Sequence, residues 1–219
     1  MGRVGGVGCV GGVGIVGIVG KRLFIAVDVD ETTREQVGRI ASRVREQIAS
    51  AAKASWVPPA RMHLTLQFFA NADDTLEQRV RAALAHMLQE AAFDLTLEGL
   101  GVFPPRGSPR VLWLGVRDGV DQLRRIQKGL EGALGVSGGH AGSFTPHLTL
   151  ARFRDRVSRA ILAEIADIRA SAGPSRIDRV TLYESRLSPS SLDLGSGRPE
   201  AARRAGPTYV PLAHAPLQR

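Results

Sequence analysis

Met62-His-Leu-Thr-Leu-Gln-Phe-Phe69 and Pro146-His-Leu-Thr-Leu-Ala151 carry the same tetrapeptide, His-Leu-Thr-Leu, at 63–66 and again at 147–150. Both runs are short, apolar and preceded by a proline-containing loop, so each reads as a β-strand. Side chains alternate faces along a strand. Leu64 and Leu66 therefore point into the core while His63 and Thr65 project from the other face, and the second copy divides Leu148 and Leu150 from His147 and Thr149 in the same way. One His-x-Thr on a strand is usually a packed or surface histidine. Two matching copies that face each other would line a cleft with two imidazoles and two hydroxyls.

Working outward, Arg22 to Val29 reads as a buried strand. Thr33-Arg-Glu-Gln36 has the form of a capping box and opens a helix with Val37, Ile40, Ala41, Val44 and Ile48 on one face. Trp56 to Ala60 is a proline-rigid loop. Asp74-Thr-Leu-Glu77 caps a second helix bearing Leu76, Val80, Leu84 and Met87. Phe93, Leu95 and Leu97 alternate with polar residues as a half-exposed strand, and Val111 to Val116 is its partner beyond a turn-rich loop at Pro104 to Pro109. Val120, Leu123, Ile126 and Leu130 mark a third helix, ended by Gly132 and Gly135. Ser158 caps a fourth that carries Ile161, Leu162, Ile165 and Ile168. Val180 to Glu184 is a further strand, and Thr208 to Leu212 an edge strand, because Pro211 would be poorly tolerated centrally. This mixed order, with hairpin-like neighbours, is α+β: antiparallel sheet with helices packed on one side.

Histidine, with a free pKa of about 6.5, can act as acid or base near neutral pH. In-line displacement at phosphorus needs both: a base for the nucleophile and, opposite it, an acid for the leaving oxygen. Threonine hydroxyls can donate to the non-bridging oxygens. Arg152, expected on the same strand face as Thr149, would add a guanidinium fork. The paired motifs thus suit phosphodiester chemistry without a metal.

These residues and their flanks resemble the two-histidine phosphoesterase superfamily, in particular its bacterial RNA 2′,3′-cyclic phosphodiesterases, also called 2′-5′ RNA ligases. The resemblance is carried by Arg22-Leu-Phe-Ile-Ala-Val, Trp56-Val-Pro-Pro before the first motif, Phe103-Pro, Pro109-Arg-Val-Leu-Trp-Leu-Gly115, Phe144-Thr-Pro-His-Leu-Thr-Leu-Ala-Arg152 and Leu182-Tyr-Glu-Ser-Arg-Leu187. It implies a bilobal α+β fold of two pseudo-symmetric lobes, each with an antiparallel sheet and packed helices, around a central cleft. It also implies His63 as proton donor, His147 as proton acceptor, and Thr65, Thr149 and Arg152 as substrate-binding residues. The implied partner is RNA with a 2′,3′-cyclic phosphate end, opened to a 2′-phosphomonoester and joined in reverse to a 5′-hydroxyl. No metal or other cofactor is implied, and the expected protein is cytoplasmic and monomeric. Two other readings stay open: a diesterase for a small cyclic nucleotide or an ADP-ribose cyclic phosphate, and a non-catalytic module that binds RNA ends.

The chain has 219 residues and a formal charge of +8, which favours an anionic partner. Its one cysteine, Cys9, excludes an intramolecular disulfide and a cysteine zinc cage. Residues 1–20 hold nine glycines and six valines. They read as a disordered extension or a start assigned too far upstream, not as a membrane span or signal. Residues 21–219 read as a single domain with a mobile loop at about 188–207. His86, His140 and His214 read as solvated or unpartnered. Arg106, Arg110, Lys128, Arg154 and Arg186 are either an RNA-facing surface or ordinary solvated charge, and Trp56, Phe103 and Tyr183 either base-stacking platforms or core.

Overall fold

The computed structural model describes residues 20–49, 52–87, 90–135, 144–186 and 206–218. The expectations for the extension at 1–20 and the loop at 188–207 fall almost wholly outside them. So do His140 and the His86 side chain.

Strands β1 (Lys21–Val27), β3 (Leu64–Ala72), β8 (Arg179–Arg186) and β9 (Thr208–Pro216) form one half of a nine-stranded sheet. Strands β4 (Phe93–Phe103), β5 (Val111–Asp118), β6 (His147–Phe153) and β7 (Ser171–Ile177) form the other. The order is β7-β4-β5-β6-β3-β1-β8-β9, and the short β2 (Ala54–Trp56) pairs with β6. Every pairing between these strands is antiparallel. Read from the middle outward, the halves correspond: β3 with β6, β1 with β5, β8 with β4, β9 with β7. Helices follow the same rule. α1 (Glu31–Ile48) and α2 (Asp74–Met87) follow β1 and β3, as α3 (Val120–Leu134) and α4 (Arg159–Ala166) follow β5 and β6. The α+β class is the expected one. The two halves share one continuous sheet, joined where Leu64 pairs with Leu148.

The core lies between one face of this sheet and the helices. Leu64, Leu66, Leu148 and Leu150 join Val37, Val44, Leu84, Leu123, Leu130 and Ile161 in one buried cluster. The histidines are left on the opposite, concave face.

Local chemistry adjusts several boundaries. The cap of α1 is Asp30, whose carboxylate accepts from the Thr33 amide at 2.7 Å, so the helix starts before the expected capping box. Asp73, not Asp74, accepts from Leu76 N at 2.7 Å at the start of α2. α3 runs through Gly132 and stops at Gly135, whose φ of 61° is the left-handed cap geometry that glycine adopts without strain. Ser158 caps α4 as expected, accepting from Ile161 N at 3.3 Å. β2 and β7 were not expected. The first is three residues long, and Gly173-Pro174 interrupts the alternation of the second.

Leu148 is completely buried at the seam between the halves. Leu148→Ala should therefore cost about 2–5 kcal/mol in urea-induced unfolding, and a loss below about 1 kcal/mol would contradict this account of the seam.

Candidate active site

The tetrapeptides meet at the seam. With Leu64 opposite Leu148, antiparallel register sets His63 across from Thr149 and Thr65 across from His147. The histidines then occupy diagonal corners of a four-residue grid, with the threonines at the other two. In a regular antiparallel pair such diagonal neighbours are about 7–8 Å apart.

Each motif is followed by the same irregularity. Pairing shifts between Ile25↔Gln67 and Ala26↔Thr65 leave Leu66 as an extra residue, and between Leu112↔Ala151 and Trp113↔Thr149 leave Leu150 as one. Both segments consequently share one pattern of exposure: His and Thr half-buried, both leucines and the next residue buried, then an exposed residue and a buried phenylalanine. Arg152 lies three residues after Thr149, so strict alternation would aim it at the core. The bulge at Leu150 reverses that, and Arg152 is the exposed residue of its segment. It pairs with Val111 and Ser55, and its charge acts on His63.

Both rings are oriented identically. Nδ1 of His63 lies 2.9 Å from the Arg61 carbonyl oxygen, and Nδ1 of His147 lies 2.9 Å from that of Thr145. A carbonyl only accepts, so Nδ1–H donates in each case, which leaves Nε2 as the atom that exchanges protons.

The surroundings of the two rings differ. His63 stacks on Phe24 (centroids 4.7 Å apart) and meets Tyr209 edge-on at 5.2 Å. Tyr183 stacks on the other side of this group, 5.1 Å from Phe24, and its hydroxyl donates to Asp28 Oδ2 at 2.7 Å. Burial among these rings pushes the His63 imidazole below its ordinary value, and the positive charges of His147 and Arg152 act in the same direction. The Arg61 carbonyl and the Asp28 carboxylate oppose them. Burial and the bond to Asp28 hold the Tyr183 phenol well above its usual range. His147 instead meets Phe103 edge-on at 4.9 Å and Trp113 at 6.0 Å. The Trp113 ring occupies the place that a Cβ at Gly101 would take.

An open cleft of about 430 Å³ adjoins His63, lined in part by Asp28, Arg61, Tyr183, Pro207 and Tyr209. The Arg61 guanidinium donates to the Pro207 carbonyl at 2.9 Å, which ties the approach of the first motif to β9.

All five expected site residues are thus gathered at the seam. Among the expected stacking candidates, Phe103 and Tyr183 pack around the histidines, and Trp56 lies against the core. Lys128 sits in the helix layer, Arg186 pairs with Glu184 at 2.8 Å and Arg154 donates to Ser55 at 2.8 Å. Arg106 and Arg110 are exposed near the loop joining β4 to β5, and His214 is exposed on β9. Asp28, Phe24, Trp113 and Tyr209 escaped the sequence reading, because nothing in their local sequence separates them from core or edge residues. Among the described residues, no three His, Cys, Asp or Glu side chains group as a metal site would require, and no helix is long and apolar enough to cross a membrane.

A family model described as the 2′-5′ RNA ligase superfamily matches residues 29–188. The chain is 31% identical over 176 residues to the RNA 2′,3′-cyclic phosphodiesterase of Thermotoga maritima, covering 77% of this chain and 88% of that one. It is 32% identical over 173 residues to the protein of the same name from Methanothermobacter thermautotrophicus, covering 77% and 91%. In three dimensions it resembles a Thermus thermophilus protein (TM-score 0.65, 26% identity, 90% of this chain and 98% of that one). It also resembles E. coli LigT complexed with 3′-AMP (TM-score 0.66, 23% identity, 91% and 99%).

The opposed influences on His63 are measurable. In an NMR titration its ring should titrate below the ordinary imidazole value, as the Nδ1–H tautomer when neutral. Asp28→Asn should lower that value further by removing the charge that favours the imidazolium. A wild-type value at or above the ordinary one, or no response to D28N, would contradict this reading of the site.

Proposed function

Because the chain belongs to the 2′-5′ RNA ligase superfamily, we propose that it opens RNA 2′,3′-cyclic phosphate ends to 2′-phosphomonoesters by acid and base catalysis with His63 and His147. The observation that carries this reading is the diagonal placement, across the Leu64–Leu148 pair, of two identically held imidazoles and two threonines.

In the proposed reaction the cyclic phosphate rests over the grid, with its non-bridging oxygens accepting from the Thr65 and Thr149 hydroxyls and from Arg152. Nε2 of His147 takes a proton from water as the water oxygen bonds to phosphorus. On the opposite side the P–O3′ bond breaks, and O3′ takes the proton from Nε2 of His63. Phosphate stays on O2′, and proton exchange with solvent resets both rings. His63 is the donor that the family resemblance implies; burial lowers its pKa, and the Asp28 carboxylate, itself held by Tyr183, works against that burial in favour of the charged form. A bound phosphate anion would add to that effect. The same steps, with a 5′-hydroxyl in place of water as the nucleophile, give a 2′-5′ linkage. No step uses a metal.

His63→Ala and His147→Ala should each lower kcat for a cyclic phosphate-ended oligonucleotide about 10²–10⁴-fold or more, with the fold intact by circular dichroism. Activity should survive chelation. Near-wild-type turnover in either variant, or loss of activity with EDTA that a divalent ion restores, would overturn the proposal.

The pH dependence has a defined sign. One imidazole must be charged and the other neutral, so kcat/KM should be bell-shaped. His63 is active when protonated, and burial depresses its pKa in the free protein, so the alkaline limb of kcat/KM should fall below the ordinary imidazole value. In kcat that limb should move to higher pH, because bound phosphate favours the imidazolium. Coincident alkaline limbs in kcat and kcat/KM would contradict the assignment of His63 as the acid.

A further inference from the structure

Of the two carbonyls that hold the imidazoles, the one on His63 belongs to Arg61, which closes a single 3-10 turn over Pro59–Arg61. Two backbone bonds shape this turn, from Arg61 N to the Pro58 carbonyl at 2.9 Å and from Met62 N to the Pro59 carbonyl at 3.0 Å. None of its three residues is buried, so core packing does little to fix the Arg61 carbonyl. The side chain of the same residue reaches across to β9 and donates to the Pro207 carbonyl at 2.9 Å. Two residues further along, Tyr209 lies edge-on to the His63 ring. Arg61 thus acts on the surroundings of His63 twice, through its own carbonyl and through the strand that carries Tyr209.

Gly206 shows how closely the guanidinium is seated. A methyl group at 206 would run into it, while the backbone of Gly206 is not in the left-handed region. Glycine at this position therefore makes room for the guanidinium and does not serve an unusual backbone.

Resting on the phosphodiesterase reading, we propose that Arg61 is a positioning residue for the acid: its bond to Pro207 keeps the carbonyl at Nδ1 of His63 in place, so that Nε2 stays aimed at the departing O3′. When the imidazolium gives its Nε2 proton to O3′, the ring left behind carries its proton on Nδ1. A carbonyl at that nitrogen stabilises the ring before and after the transfer. With the carbonyl displaced, the neutral ring is free to take its proton on Nε2 and to turn. The contribution belongs to the chemical step and not to the holding of RNA.

Two substitutions approach the bond from opposite sides. Arg61→Ala removes the donor. Gly206→Ala leaves it in the chain but pushes the guanidinium off the Pro207 carbonyl, at little cost to the fold because what moves is the end of a flexible side chain. Each should lower kcat for a cyclic phosphate-ended oligonucleotide about 10- to 100-fold, with KM within about threefold of wild type. In the Arg61→Ala background, Gly206→Ala should cause no further loss, since no guanidinium is left to displace. Arg61→Lys, which keeps one donor for Pro207, should recover most of the lost kcat. Nitrogen NMR should show neutral His63 as the Nδ1–H tautomer in wild type and with a substantial Nε2–H fraction in Arg61→Ala. Unchanged kcat in both single variants, a loss confined to KM, or losses that multiply in the double variant would overturn the proposal. Were the wild-type protein to turn over no cyclic phosphate, the phosphodiesterase reading would fail by itself. The tautomer would then decide the role of Arg61: a shift to Nε2–H in Arg61→Ala supports it, and an unchanged Nδ1–H ring rejects it.

Discussion

A single cross-strand pair, Leu64 with Leu148, joins the two halves of the sheet and sets the geometry of everything above it. Because both leucines must point into the helix-covered core, His63, Thr65, His147 and Thr149 must point the other way. Because the strands are antiparallel, the two histidines fall at diagonal corners. A slip of one residue would put both imidazoles among leucines, so the hydrophobic effect that stabilises the core also enforces the register of the site. The bulges at Leu66 and Leu150 use the same constraint a second time, turning the strand after each motif so that Phe68 and Arg152 come out beside it.

Identical backbones then hold the imidazoles in different electrostatic settings. Each ring is fixed through Nδ1 to a carbonyl two residues earlier, so orientation is settled by the loop that leads into the motif. The tendency to be charged is settled by neighbours from other strands. Around His63, aromatic burial works against the Asp28 carboxylate. Around His147, Phe103 and Trp113 provide ring edges and faces. Pseudo-symmetric halves built from one pattern can in this way carry two opposite proton-transfer roles, as acid and base catalysis on one phosphate requires.

Much of this was legible in the chain because strand and helix periods are local signals. The tetrapeptides, the α+β order, the Ser158 cap and the edge position of the final strand follow from spacing and from proline chemistry. Two strands were not legible, β2 for its brevity and β7 because Gly173-Pro174 breaks its alternation. The bulges leave no mark in composition, so the face on which Arg152 emerges depends on an extra residue that strict alternation does not count. Asp28 and Tyr209 were missed for a different reason. They reach His63 from the end of β1 and from β9 across the sheet, and such long-range proximity is set by strand order.

The central claim is that two histidines act across one cyclic phosphate, with the leaving O3′ on the His63 side. Its most direct test is the product of a 2′,3′-cyclic phosphate-ended oligonucleotide, read by phosphorus NMR after one round of reaction with the purified protein. Phosphate retained on O2′, with a free 3′-hydroxyl, is the outcome this account predicts. Phosphate on O3′, or an unopened ring at saturating protein, would contradict it.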